Sequence, residues 1–95
     1  VIMEKIDLDF QPTTRPDLPF RELKDGGVVY EYRTDTLHSL NATAAYIWVL
    51  CDGQHTVAEI ISSIKQNFNR FEVDPTGEVI KIIEQFRTLN LLTND

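Results

Sequence analysis

The stretch LNATAAYIWVLCDGQHTVAEI, residues 40–60, carries two helix starts and one helix stop. That density constrains the chain more than any other feature, because it fixes where two helices begin and where the backbone must turn between them. Asn41 reads as an N-cap whose side-chain oxygen accepts from free N–H groups of the first turn, with Leu40 just outside placed to pack back onto that turn. Ala44, Ile47, Trp48 and Cys51 follow at helical spacing and form an inward stripe. Gly53 then stops the helix as a left-handed residue. Thr56 caps a second helix at once, and Glu59 completes a capping box with it. The second stripe is Val57, Ile60, Ile61, Ile64 and Phe68.

Upstream, the apolar period is two. Leu18 and Phe20 share a face, and Asp25-Gly26-Gly27 reads as a hairpin turn because glycine accepts the positive φ that a tight turn demands. VVYEYR places Val28, Tyr30 and Tyr32 on one face, and a turn at Thr34 to Thr36 leads to a short third strand, Leu37 to Leu40. Downstream, the link NRFEV ends in Asp74-Pro75, a cap followed by proline at the first helical position. A third helix is predicted from about Pro75 to Asn90, with Val79, Ile82, Ile83, Phe86 and Leu89 inward, after which Leu91 and Leu92 pack back. The expected fold is α+β and winged helix-turn-helix-like, a three-stranded antiparallel sheet followed by three helices.

This domain spans residues 18–92, with 93–95 as a tail. Residues 1–17 hold Pro12, Pro16 and only weak alternation, so an irregular, loosely attached arm is expected, with a partial strand or a homodimer contact as its alternative roles. A chain of 95 residues has material for one core. Its formal charge of −6 repels phosphate backbones and anionic membranes, which argues against nucleic acid as a partner. No run of about eighteen apolar residues exists, and VIMEKIDLDF carries acids where a secretory signal would be apolar. No membrane association and a cytoplasmic location are therefore expected.

Chemistry-bearing constellations are missing from the sequence. Cys51 stands alone, and His38 and His55 lack partners at metal-ligand spacing. Ser39, Ser62 and Ser63 lie outside any nucleophile-elbow context, and no phosphate-binding glycine motif occurs. The expectation is no enzyme, no cofactor and no metal: a binding or docking module.

Leu40-Asn41, Ala44-Ala45, Asp52-Gly53 and Thr56-Val57-Ala58-Glu59-Ile60 together resemble the central signature of the PqqD-like family, recognition elements for ribosomally made, post-translationally modified peptides. The similarity covers about residues 18–92 and is densest from Leu40 to Ile61. Asn90 stands where family members often have glycine, and it too tolerates the left-handed conformation. The resemblance implies a non-catalytic protein that binds the leader of a precursor peptide as an added strand and presents it to a modifying enzyme, such as a radical SAM enzyme, in pyrroloquinoline quinone or related biosynthesis. It implies that Leu37, His38, Ser39 and Leu40 offer the strand edge and that residues 75–90 form a wall. The last strand of a meander does leave an edge free to template another chain. Within the wall, Ile80 lies at the margin of the stripe beside Arg87, so Ile80, Ile83, Glu84 and Arg87 are the expected peptide side, Arg87 pairing with a leader carboxylate or the last helical carbonyls.

Two readings compete. A winged-helix DNA-binding domain would present Glu78, Lys81, Glu84, Gln85 and Thr88, a face too acidic for phosphates. A docking scaffold would use Tyr30, Tyr32 or helix surfaces and hold no peptide.

Overall fold

Three strands and three helices follow one another in the computed structural model, which describes residues 6–68 and 74–93: β1 (Phe20–Leu23), β2 (Gly26–Glu31), β3 (Thr36–Asn41), α1 (Ala42–Leu50), α2 (Val57–Asn67) and α3 (Thr76–Thr88). The strands form one antiparallel sheet in the order β1-β2-β3. Val29 pairs with both Phe20 and His38, and Glu31 pairs with Thr36, so these side chains share the face turned to the helices. Leu37 and Ser39 point the other way. The NRFEV link lies outside the described residues, as do the first five residues and the last two.

The first hairpin turn is Lys24-Asp25, one residue ahead of the expected position, because Leu23 pairs with Gly26 and both glycines enter β2. Gly26 has φ +157°, and a Cβ there would collide with the carbonyl oxygen of Leu40. Its glycine is thus required by β3 as well as by the turn. In the second turn the left-handed residue is Asp35 (φ 51°), whose carboxylate accepts from the Tyr30 hydroxyl at 2.8 Å.

Both expected helix starts, at Asn41 and Thr56, stand, but α1 ends at Leu50 with Cys51 as its C-cap, two residues ahead of Gly53, whose amide goes to Pro12 O and not to the helix. Asn41 is extended and its side chain accepts from Ala44 N at 2.8 Å. The Thr56–Glu59 capping box is closed in both directions, at 2.8 and 3.1 Å. Gly53 (φ 81°) and Asn90 (φ 62°) are left-handed. Around Asn90 the amide of Leu91 reaches the carbonyl of Phe86 and that of Asn90 reaches Arg87, the paired bonds of a Schellman stop. The third helix begins one residue later than expected: Pro75 precedes it, and Asp74 accepts from the Thr76 amide (3.0 Å) and hydroxyl (2.6 Å).

One core joins sheet and helices. Ile47, Val57, Ile60, Ile64, Val79, Ile83 and Leu91 are fully buried, and Trp48 meets Phe20 on one side and Phe86 on the other. At about 25 cal/mol per Å2, each such aliphatic side chain is worth about 2 kcal/mol, so this core is the main source of stability. Cys51 is in it too, its thiol pushed up to about 12 by burial and by Asp52. Leu89, expected inward, is instead exposed.

The arm departs most from expectation. Residues 6–17 are irregular, as predicted, but closely bound, with Ile6 and Pro12 buried. The carbonyls of Phe10 and Leu8 accept from Val57 N and Ala58 N, two of the free amides that open α2. Pro12 O accepts from Gly53 N, and Thr14 N donates to Cys51 O. Farther along, Arg15 N donates to Leu91 O and Thr93 N to Thr13 O. The arm therefore binds the α1–α2 turn to the C-terminal segment. Most of these bonds are backbone to backbone, which no side-chain pattern announces.

Candidate functional site

Among the described residues β3 has a ladder partner on one side only, β2. Beside it runs a groove of about 370 Å3, lined by β3 from Leu37 to Asn41, by Ala44 of α1, by Ile82, Gln85, Phe86 and Leu89 of α3, and by Leu91. The sequence sets this up locally. Ile82, Gln85, Phe86 and Leu89 recur at i, i+3, i+4 and i+7, one continuous helical flank. Gly27, opposite Leu40 in the register, lets Phe20 lie against the sheet: a Cβ on Gly27 would stand 2.5 Å from the Phe20 ring.

The groove is largely apolar, with a few hydrogen-bonding groups among the apolar side chains. His38, Ser39, Asn41 and Gln85 contribute polar atoms, and no carboxylate, lysine or arginine lines it. Leu37 is 67% exposed and Leu89 49% exposed, and both lie along it. Leu89, a large apolar side chain left half in water beside an open strand edge, gives the groove a surface suited to an extended apolar ligand.

The expected site residues are divided by the structure. Leu37, His38, Ser39 and Leu40 all line the groove. Ile80, Ile83, Glu84 and Arg87 do not. Ile83 is fully buried, and Ile80 packs against the core. At about 100° per residue, Ile80 and Arg87 lie on the flank of α3 roughly opposite the one that faces β3. Glu84 belongs to a neighbouring depression of about 480 Å3 with Lys81, Gln85, Thr88 and Leu89, so Gln85 and Leu89 border both. Sequence reasoning missed Asn41, Ala44, Ile82, Gln85, Phe86, Leu89 and Leu91 as groove residues. Gln85 was the available signal, a neutral polar residue set between apolar Ile82, Phe86 and Leu89.

A second depression of about 300 Å3 lies between the β1–β2 hairpin and α1, with Glu22, Lys24, Leu23 and Val49 on its walls. His55 and Asp52 form an exposed pair at the α1–α2 turn, 2.9 Å apart, which raises the imidazole pKa, while the Gln54 amide and then this pair lower that of the carboxylate. Among the described residues no three His, Cys, Asp or Glu side chains gather as metal ligands, and no helix is long and apolar enough to cross a membrane.

The family model described as Coenzyme PQQ synthesis protein D (PqqD) matches residues 26–92, from the start of β2 to Leu92. A solved structure described as TbiB1 in complex with the TbiA(β) leader peptide matches with a TM-score of 0.69 at 20% identity, covering 87% of this chain and 96% of that one. No curated protein sequence matches this chain significantly.

Proposed function

This chain belongs to the PqqD family, and from that premise we propose that it is a non-catalytic recognition element that holds the leader of a ribosomally made precursor peptide while a separate enzyme modifies the rest. The observation that carries the reading is the unpaired edge of β3 beside the apolar groove. The leader adds as a strand along Leu37 to Leu40, and its side chains enter between β3 and the Ile82, Gln85, Phe86 and Leu89 flank. The solved relative of the same fold, described as a leader-peptide complex, supports this use of the architecture.

Magnitudes say which part of the surface decides affinity. About three ladder hydrogen bonds at a net 1 kcal/mol each supply roughly 3 kcal/mol, against about 8 kcal/mol for a micromolar complex. Burial of roughly 200 Å2 of apolar surface at 25 cal/mol per Å2 covers the difference, before the further cost of ordering the peptide. Backbone pairing therefore sets direction and register, and the groove sets affinity and selectivity. The lack of carboxylate, lysine and arginine in the groove lining favours apolar leader residues there.

The second partner is a modifying enzyme, for which a radical SAM enzyme is the family's leading candidate, with pyrroloquinoline quinone as one of several possible peptide-derived products. Titration of isotope-labelled protein with candidate leader peptides, a DNA duplex serving as control, tests the reading. Saturable amide shifts over 37–41 and 82–91 are expected. Shifts with no leader, or only with DNA, would overturn it.

A further inference from the structure

The groove has two walls that meet no covalent constraint at its Leu37–Leu89 end, yet one side chain touches the backing of both. Arg15, from the arm, is only 11% exposed. Its Nη1 donates to Glu31 Oε2 at 2.5 Å and to the carbonyl of Asn90 at 3.1 Å. Its Nε and Nη2 form a two-pronged bond with Asp17 at 3.1 and 2.6 Å, and Asp17 also accepts from the Tyr32 hydroxyl. Glu31, 8% exposed, is completed by the Arg33 amide at 3.0 Å.

The identity of the acceptors matters. Asn90 is the left-handed stop of α3, and its neighbours Leu89 and Leu91 both line the groove. Glu31 pairs with Thr36, the first residue of β3, immediately before Leu37. A charge pair this enclosed gives little net stability compared with apolar replacements, so its value here is geometric. A guanidinium fork suits such a junction because it directs several donors along fixed lines, whereas an ammonium is a single point on a flexible stem.

We infer that Arg15 is a positioning residue for the groove, fixing the spacing between the end of α3 and the start of β3 without touching the bound chain. Residues 26–92, the part matched by the family model, contain Glu31 and Asn90 but not Arg15, so the arm supplies the clasp. The inference rests on the leader-binding reading for its consequence and on the ion-pair geometry alone for its structural claim.

The test uses the full chain with Arg15→Met, and Tyr46→Phe as a control that removes a hydrogen bond to Ser63 away from the groove. At a temperature where all forms are folded, Arg15→Met is expected to shift amides at 36–38 and 89–91 and to weaken leader binding about three- to thirtyfold, while Tyr46→Phe leaves affinity unchanged. Amide changes confined to residues 12–18 with unaltered affinity would overturn the inference. If wild-type protein binds no leader but Arg15→Met still shifts 36–38 and 89–91, the leader-binding reading fails and the positioning claim stands. Should Arg15→Met fail to fold, Arg15→Lys keeps the charge, loses the fork, and carries the same expectations.

Discussion

The two flanks of α3 are alike in composition and opposite in fate. On one, Ile82, Gln85, Phe86 and Leu89 turn toward β3 and leave a groove; on the other, Ile80 and Ile83 close against the core. Nothing intrinsic to the residues separates them, since isoleucine occurs on both. The difference comes from the neighbour. Beside β3, whose outer edge has no ladder partner among the described residues, Leu89 stays half in water while Ile82 and Phe86 are buried; on the opposite flank Ile83 is fully buried and Ile80 partly so. The exposed apolar surface on this flank is therefore Leu89, set against buried neighbours, and the groove is an interface that β3 and α3 leave unfinished.

The sharpest way to break this comparison is at Ile83. Ile83→Ala removes a fully buried side chain, and a loss of about 3 kcal/mol in urea unfolding is expected, with leader affinity of the folded protein within twofold of wild type. Affinity falling in step with stability would mean that the flanks do not act independently. Next comes a pair of charges, Leu89→Asp and Ile80→Glu. Leu89→Asp should weaken leader binding about tenfold or more while changing stability by about 0.5 kcal/mol, because it places a charge in the apolar groove at a site already half in water. Ile80→Glu should do the reverse, lowering stability by about 1–2 kcal/mol and sparing affinity. Isothermal titration alongside thermal melting separates the two outcomes, and exchanged results would reassign the groove to the Ile80 flank.

The smallest effect is set by acid. Asp17 is held at about 2, below its ordinary 3.8, by its bond to Arg15, and Glu31 is also lowered, chiefly by the Arg33 amide and also by Arg15. Carboxylates depressed by folding contribute stability above their unfolded values and lose it as pH falls toward the folded ones. The melting temperature is therefore expected to hold from pH 7 to about 5 and to fall below about 4.5, less steeply in Arg15→Met. Equal slopes in the two proteins would show that the arm's ion pairs do not shape the acid response.

How much of this was legible in sequence follows from the range of each interaction. Asn41 and Thr56 with Glu59 act on backbone within a few residues, so their spacing alone announced two helix starts, while the stop at Asn90 was legible only through the family resemblance. The fold class and β3 as a strand came with them. The turn was misplaced by one residue because Gly26 answers to Leu40, a contact made only once β2 and β3 have paired. Which flank of α3 faces β3 was beyond reach: a helical wheel fixes the stripe and leaves its two margins equivalent until a neighbour breaks the symmetry. The arm was read as loose because its bonds run from carbonyls of Leu8, Phe10 and Pro12 to amides more than forty residues away, and backbone groups leave no trace in composition.

Trp48 is the only tryptophan in the chain, and it stands edge-on to Phe86 with ring centroids 5.2 Å apart. Phe86 is also part of the groove lining. The indole therefore sits one aromatic ring behind the surface, shielded from solvent yet in contact with the wall. Its emission is a native optical gauge of that wall: a chromophore that reads strain behind the groove, with no dye attached and no second indole to confuse the signal.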